Sequence, residues 1–368
     1  SRTMSNKQFG TLCSRQQHFV EFLDYTKLGK NVALKGFSLS TRNTIMACYT
    51  AHLATGHTLL CKSIKSSTIS RYLSAAAELS IPAKMMNPCL DIMGNVSKEI
   101  KDILNELKRW ESMPKRREPM TKEMISYIID KGEKLKSTNP DNIYTVLSDW
   151  LIVGLQAGFR RKEWAQDKTY LKKYKDIERN VDGSSAAFIL SDFEFRGKGN
   201  TRIDNSSKQA INRSYIVNIK WRFQKNNDNG QVISYTKNTE DKKFCVVEAC
   251  KRIHHRAVKF KIPANKPIAV FTASRSIQEK PKYIDDVHIK SILQEAARRV
   301  YNIKCKKDLS NFTSHSVRVG ACVLLHAQNV SPEDIKFRLR WRSDTFRTYL
   351  RNILPLAERH TDAITNAK

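Results

Sequence analysis

His315-Ser-Val-Arg318, followed by Leu339-Arg340-Trp341-Arg342-Ser343-Asp344 and then Tyr349-Leu-Arg-Asn352, is the stretch on which the reading of this chain turns. Residues three apart on a helix share a face, so His315 and Arg318 point the same way. Ser314 is placed to cap that helix, and a helix N-terminus is itself an anion site. An imidazole and a guanidinium fork on one face can hold the non-bridging oxygens of a phosphodiester. Val317, Ala321, Val323, Leu324 and Leu325 supply the apolar faces. Asn329-Val-Ser-Pro332-Glu333 reads as a loop and a capped helix start with Pro at the first helical position. Ile335, Phe337 and Leu339 anchor that helix. Ser343 or Asp344 caps the next one, which presents Tyr349. His315, Arg318, Trp341 and Tyr349 can thus share one phosphate.

A tyrosine hydroxyl is a weak nucleophile at its ordinary pKa of about 10. Against a phosphodiester it needs the phosphate neutralised and the leaving oxygen protonated. The stretch supplies part of the first need and none of the second. Leu155-Gln-Ala-Gly158-Phe159-Arg160-Arg161-Lys162-Glu163 offers a further arginine, Arg160, just after a glycine turn, with Glu163 one helical turn on. Lys225 sits where a predicted strand, 215–224, enters the polar turn Asn226-Asn-Asp-Asn-Gly230 before a second strand, 231–236. A lysine at such a hairpin tip can reach a DNA groove and protonate a leaving 5′-oxygen. Lys198, in Arg196-Gly-Lys-Gly-Asn200, is the main rival, ahead of Lys220 and Lys237. The strand pair around Lys225 is clearer, so Lys225 is the expected acid.

The ordered set Arg160, Lys225, His315-x-x-Arg318, Trp341 and Tyr349 resembles the catalytic set of the tyrosine recombinases, the phage-integrase superfamily. Gly158-Phe-Arg160-x-x-Glu163 is similar to that family's first-arginine box. Leu339-x-Trp341 with a tyrosine eight positions later is similar to its last box. Much of the family has a second histidine where Trp341 stands, and some members have tryptophan. Lys198 has its own parallel, a Gly-Lys-Gly hairpin in some bacterial relatives. The resemblance spans about residues 121–353. Spacing, cysteines and lysine content look more like eukaryotic mobile-element recombinases of the Crypton type. Singly, each residue has an ordinary structural role open to it: a capping pair for His315 and Arg318, core for Trp341, packing for Tyr349, solvated charge for Arg160 and Lys225. Order and spacing favour the joint reading.

The rest of the chain fits a DNA partner. It has 368 residues, enough for two domains, and a net charge of +29. A folded protein this basic is expected to bind a polyanion, with affinity that falls steeply with salt. Composition alone does not exclude a ribosomal or merely basic protein. None of the eight cysteines forms Cys-x-x-Cys or pairs with histidine at zinc-finger spacing. Reduced buried thiols in an intracellular protein are expected, nuclear if the host is eukaryotic. No apolar run approaches the ~20 residues of a membrane span, and no signal peptide is seen. Ser1-Arg2 before Thr3-Met4 looks like a cloning scar or a fragment start.

The expected fold is mainly α with a small antiparallel β-sheet, an α+β protein. Residues 1–112 read as a helical domain, with helices over about 9–23, 44–54, from 66, and 96–110. It looks like the core-binding domain that precedes the catalytic domain in tyrosine recombinases. Arg42, Lys62, Lys65, Ser67, Thr68 and Arg71 cluster near helix starts and are the candidates for DNA-backbone contacts, a solvated face being the alternative for each. Residues 113–120 are a basic linker with two prolines, suited to two domains clamping a duplex, and 121–368 form the catalytic domain with a C-terminal tail. Within it, Thr121 caps a helix to Ile129, and 144–156 form an apolar helix ending at Gly158. Strands are expected over 187–195, 215–224 and 231–236, with 197–213 a mobile polar connector. Ile353, Leu354, Leu356, Ala357 and Ile364 make the tail amphipathic. Such tails in the family dock on a neighbouring subunit; folding back on its own domain is the other reading.

The resemblance implies a recombinase or transposase that cuts and rejoins double-stranded DNA through a 3′-phosphotyrosine, as a homotetramer on two duplexes. Arg160 and Arg318 would clamp the phosphate, His315 and Trp341 help hold it, Lys225 protonate the 5′-hydroxyl, and Tyr349 attack. No metal, cofactor or ATP is expected; the bond energy stays in the phosphotyrosine, and there is no carboxylate cluster of the two-metal kind. A type IB topoisomerase or telomere resolvase would use similar chemistry. His315 and the short gap to Tyr349 argue against the topoisomerase, which usually has lysine at that position and a longer gap. A domesticated DNA-binding protein without catalysis is the alternative of another class, against which the intact residue set argues.

Overall fold

In a computed structural model the chain falls into two compact units, Ser1–Pro114 and Lys115–Lys368. Structure is described for residues 6–29, 31–59, 62–112, 116–180, 182–224, 228–274, 280–350 and 364–365. The fold is mainly α with two small antiparallel sheets. Among the described residues no helix is long and apolar enough to cross a membrane.

The first unit is helical: α1 (Asn6–Tyr25), α2 (Leu39–Ala54), α3 (Ser66–Glu78) and α4 (Lys98–Trp110). Helix α2 starts earlier than its apolar residues suggest, because Ser38 is the cap and accepts the Thr41 N–H. Phe19, Phe22, Leu23, Tyr49, Leu53, Ile69 and Leu73 close the core. A buried His18–Tyr49 hydrogen bond of 3.0 Å lies within it. Burial takes His18 below its ordinary pKa, against an opposing pull from Glu21.

The second unit is built on α6 (Ile143–Ala157), which follows α5 (Lys122–Lys136). Thr121 and Asn142 cap these two helices through their side-chain oxygens. Nearly every side chain of α6 is buried, with Trp150 stacked between Trp164 and Phe188. Then come α7 (Arg161–Trp164), α8 (Lys168–Tyr174), β1 (Phe193–Arg196), α9 (Lys208–Arg213), β2 (Ile216–Trp221), β3 (Gln231–Thr236) and α10 (Val246–Lys259). The three strands form one antiparallel sheet in the order β1-β2-β3. Buried Arg256 of α10 reaches Asp141 and Asp149, each at 3.0 Å, and fixes that helix against α6.

The chain continues through the two-residue strands β4 (Val270–Phe271) and β5 (Lys282–Tyr283), α11 (Asp286–Tyr301), α12 (Lys306–Leu309), α13 (Ser316–Ala327) and α14 (Pro332–Leu339). A 3-10 helix, Asp344–Tyr349, follows. α13 crosses α6 closely: a Cβ at Gly154 would meet the Val317 side chain at 2.5 Å.

Two sequence expectations are corrected. Residues 187–192 are not strand; Arg222 donates to Asp192 and to the Ser185 and Ala187 carbonyls, holding that segment as a packed loop that ends in a 3-10 turn, Leu190–Asp192. Residues 197–213 are structured: Asn205 pairs with both the N–H and the carbonyl of Phe195, and α9 follows.

Candidate active site

The site forms where α6 and α14 end and α13 begins. α6 stops at Gly158, whose backbone is left-handed (φ 55°, ψ 49°). Glycine takes that conformation without penalty, and a Cβ there would lie 2.6 Å from Leu339. The turn sets Arg160 at the start of α7. Its guanidinium meets Glu163 Oε1 at 3.0 Å, and its backbone N–H meets Oε2 at 3.0 Å. Glu163 is buried. Burial pushes its carboxyl up, but Arg340 and Arg160 offset that, leaving it below the ordinary value.

Arg318, on the first turn of α13, is only 2% exposed. Its Nη1 donates to the Gly158 carbonyl and its Nη2 to the Leu339 carbonyl, both at 2.6 Å. One side chain therefore ties together the ends of α6 and α14, using two of the five N–H donors of a guanidinium. Burial, then the neighbouring Arg160 and Arg340, pushes its pKa down to about 9, so it is charged at neutral pH. The guanidinium lies 4.3 Å from the centre of the Trp341 ring.

Trp341 stacks on Tyr349, with ring centres 5.8 Å apart, and on Phe346 at 5.7 Å. The Tyr349 hydroxyl shares a 2.9 Å hydrogen bond with His315 Nε2. Burial lowers the His315 pKa, and Arg318, Arg117 and Arg160 lower it further, so the imidazole is neutral at pH 7. Burial raises the Tyr349 pKa, with Arg318 opposing it. The hydroxyl is thus protonated at rest, beside a neutral imidazole nitrogen.

Arg160, His315, Arg318, Trp341 and Tyr349 are brought together. Lys225 lies outside the described residues, but both flanks of its turn are placed. Gln224 N–H donates to Asn229 Oδ1 at 2.7 Å, and Asp228 pairs with Arg342, whose Nε is 3.2 Å from it. Asp228, three residues beyond Lys225 in the chain, is thereby held to the residue following Trp341. Lys198 is exposed on the turn after β1.

Several local expectations differ. Ser314 does not cap α13; His315 occupies the N-cap position without a side-chain cap bond. Arg42, expected to face solvent for a DNA contact, is buried and gives its Nη1 to the Met86 carbonyl at 3.2 Å. Lys62, Lys65, Ser67 and Arg71 are exposed around the start of α3, and Thr68 is partly so. The tail residues Ile353, Leu354, Leu356 and Ala357 lie outside the described residues; Ile364 is exposed.

Arg340 escaped the sequence reading. It ends α14 in the left-handed region (φ 57°, ψ 52°), and its side chain is fully buried. Nη1 donates to the Ala157 carbonyl and Nη2 to Glu163 Oε2, each at 2.9 Å, with Trp221 stacked 4.0 Å away. Its signal was a charge set between two apolar residues, Leu339 and Trp341.

No protein-family model matches this sequence, and no curated protein does. Among solved structures, the chain is similar to the Tn1549 transposon integrase in complex with transposon right end DNA, at 12% identity, covering 96% of this chain and 100% of that one, with a TM-score of 0.42. The same integrase with circular intermediate DNA gives 14%, 95%, 99% and 0.41. The XerH site-specific recombinase bound to difH substrate gives 12%, 94%, 76% and 0.45. At this distance the function has to be carried by the site's own residues.

Proposed function

We propose that this chain cuts and rejoins double-stranded DNA by the tyrosine-recombinase reaction. The observation that carries the reading is the Tyr349 hydroxyl, hydrogen-bonded to a neutral His315 within a site that also holds Arg160 and Arg318. Tyr349 oxygen attacks the phosphorus of a phosphodiester, and His315 Nε2 takes the phenolic proton. The bond to the 5′-oxygen breaks, leaving a 3′-phosphotyrosine and a 5′-hydroxyl. Arg160 and Arg318 carry the charge that gathers on the non-bridging oxygens. Trp341 holds the Tyr349 ring against the phosphate site. Attack by a 5′-hydroxyl on the phosphotyrosine reverses these steps and reseals DNA, conserving the bond.

Lys225 is assigned the proton given to the leaving 5′-oxygen. The Asp228–Arg342 pair favours it over Lys198, because it holds Asp228, three residues on in the chain, beside the Trp341 segment. A substrate with sulfur at the 5′-bridging position needs no such acid. Lys225→Ala should cleave that substrate at the wild-type rate and ordinary DNA far more slowly. The same pattern from Lys198→Ala would move the role there.

The first unit is assigned to gripping the duplex, with Lys62, Lys65, Ser67, Thr68 and Arg71 on phosphates. Exchange between two duplexes requires four such sites, hence a homotetramer on DNA, in the nucleus of a eukaryotic host. The deciding experiment uses a suicide duplex nicked near the cleavage site, without magnesium, run on a denaturing gel. Wild type should give a slow protein–DNA band and Tyr349→Phe none. Tight binding with no band from either protein would make the chain a DNA-binding protein without catalysis. A band surviving Tyr349→Phe would put the nucleophile elsewhere.

A further inference from the structure

We propose that Arg340 is a positioning residue of this site: by holding and neutralising Glu163 it keeps the guanidinium of Arg160 available to the scissile phosphate. The proposal rests on the reading of Arg160 as a phosphate ligand.

The geometry forms a relay. Glu163 Oε1 accepts from Arg160 Nη1 at 3.0 Å, while Oε2 accepts from Arg340 Nη2 at 2.9 Å and from Trp221 Nε1 at 3.4 Å. Arg340 is anchored on its other arm by the Ala157 carbonyl at 2.9 Å and from the side by Trp221. The relay therefore runs from Arg340 through a buried carboxylate to Arg160. Arg160 is the outermost member, 24% exposed at its side chain, whereas Arg340 is fully enclosed.

Charge explains why a second arginine is needed. With Arg160 alone beside it, a buried Glu163 would take that guanidinium as its counter-ion. An arriving phosphodiester would then share Arg160 with the carboxylate and be repelled by it. A buried carboxylate left short of a partner is unfavourable, so it would also drag Arg160 inward. Arg340 supplies the missing charge from the side away from solvent. The backbone adds a second sign that the side chain matters: Arg340 holds a left-handed conformation suited to glycine.

The test compares wild type, Arg340→Gly, Arg340→Lys and the double variant Arg340→Gly/Glu163→Gln. Glycine fits the backbone; lysine keeps the charge but cannot span Ala157 and Glu163. Each protein is assayed for the single-turnover rate of covalent adduct with the nicked suicide duplex, for affinity toward the same DNA, and for melting temperature. Arg340→Gly should cut the adduct rate on the order of a hundredfold, as small misplacements of reacting groups do. Its DNA affinity should stay near wild type. Removing the carboxylate charge in the double variant should restore much of the rate, and Arg340→Lys should fall between. Should Arg340→Gly fail to fold, the lysine variant with and without Glu163→Gln reads the same relay. A wild-type rate from Arg340→Gly overturns the proposal, as does a loss that Glu163→Gln leaves untouched. No adduct from wild type overturns the Tyr349 reading and this proposal with it.

Discussion

Two helices end at the site with nearly the same backbone, α6 at Gly158 (φ 55°, ψ 49°) and α14 at Arg340 (φ 57°, ψ 52°). One cap uses glycine and the other a large charged residue. At Gly158 the conformation and the space agree, since Leu339 fills the place of a Cβ. At Arg340 the conformation costs about 1–2 kcal/mol for an L-residue. Breaking a buried ion pair costs about 3–5 kcal/mol. The ion pair to Glu163 outweighs the backbone, so arginine persists where glycine is the usual choice. Local rules predict a helix end well when nothing beneath it needs a side chain.

The largest test of this comparison removes the link between the caps. Arg318→Ala leaves two buried carbonyls without their donor, at roughly 1–3 kcal/mol each, partly offset by the desolvated charge that leaves with it. Adduct formation should fall below detection and the urea midpoint should drop clearly. Adduct at more than a trace would remove Arg318 from the phosphate site. Gly158→Ala comes next. It adds roughly 1 kcal/mol of backbone strain and about 1–3 kcal/mol of overpacking against Leu339. Urea unfolding should show a loss in that range; a loss below about 0.5 kcal/mol would mean Leu339 yields and only the conformation matters.

The reading of sequence into structure follows the same line. α5, α6, β3, the Gly158 turn and the set Arg160, His315-x-x-Arg318, Trp341, Tyr349 were legible because caps, apolar periodicity and spacing are local. The strand at 187–192 was misread because Arg222, some thirty residues on, supplies the bonds that shape it, and the connector at 197–213 because a side chain within it, Asn205, pairs with the Phe195 backbone as no periodic pattern announces. Arg42 was misplaced for a similar reason, its partner being the Met86 carbonyl. Arg340 was missed because its partners, Ala157 and Glu163, lie far back in the chain.

A third test uses pH. The arginines gathered between the two caps add to burial in holding His315 below its ordinary pKa. Folded His315 binds its proton more weakly than the unfolded chain does. The unfolded state then carries more protons across the interval below about pH 6.5, so stability from this group is present above it and is lost as pH falls. Adduct rate should be flat above that pH and decline below it, and His315→Gln should flatten the decline. A decline beginning well above pH 7 would place another group in control. The smallest effect is expected from Arg342→Ala, which frees Asp228 from the segment after Trp341. Melting temperature should not change measurably, as for exposed ion pairs generally. Cleavage should slow modestly on ordinary DNA and not on the 5′-sulfur substrate; equal slowing on both would detach this pair from the leaving-group step.

Tyr349 is carried by a segment that packs on a small core of its own, Ala321, Cys322, Ile335, Leu339 and Phe346, separate from the large core around α6. Among its described residues Phe346 is the one fully buried side chain the segment contributes. Pulling a phenylalanine into water costs roughly 1.5–3 kcal/mol. A segment with so small a core beneath it should open before α6 does, and its amides should exchange with deuterium sooner than those of α6. Tyr349 thus sits over the smaller of the second unit's two cores, while the arginine pair Arg318 and Arg340 is anchored to the end of the helix at the centre of the larger one.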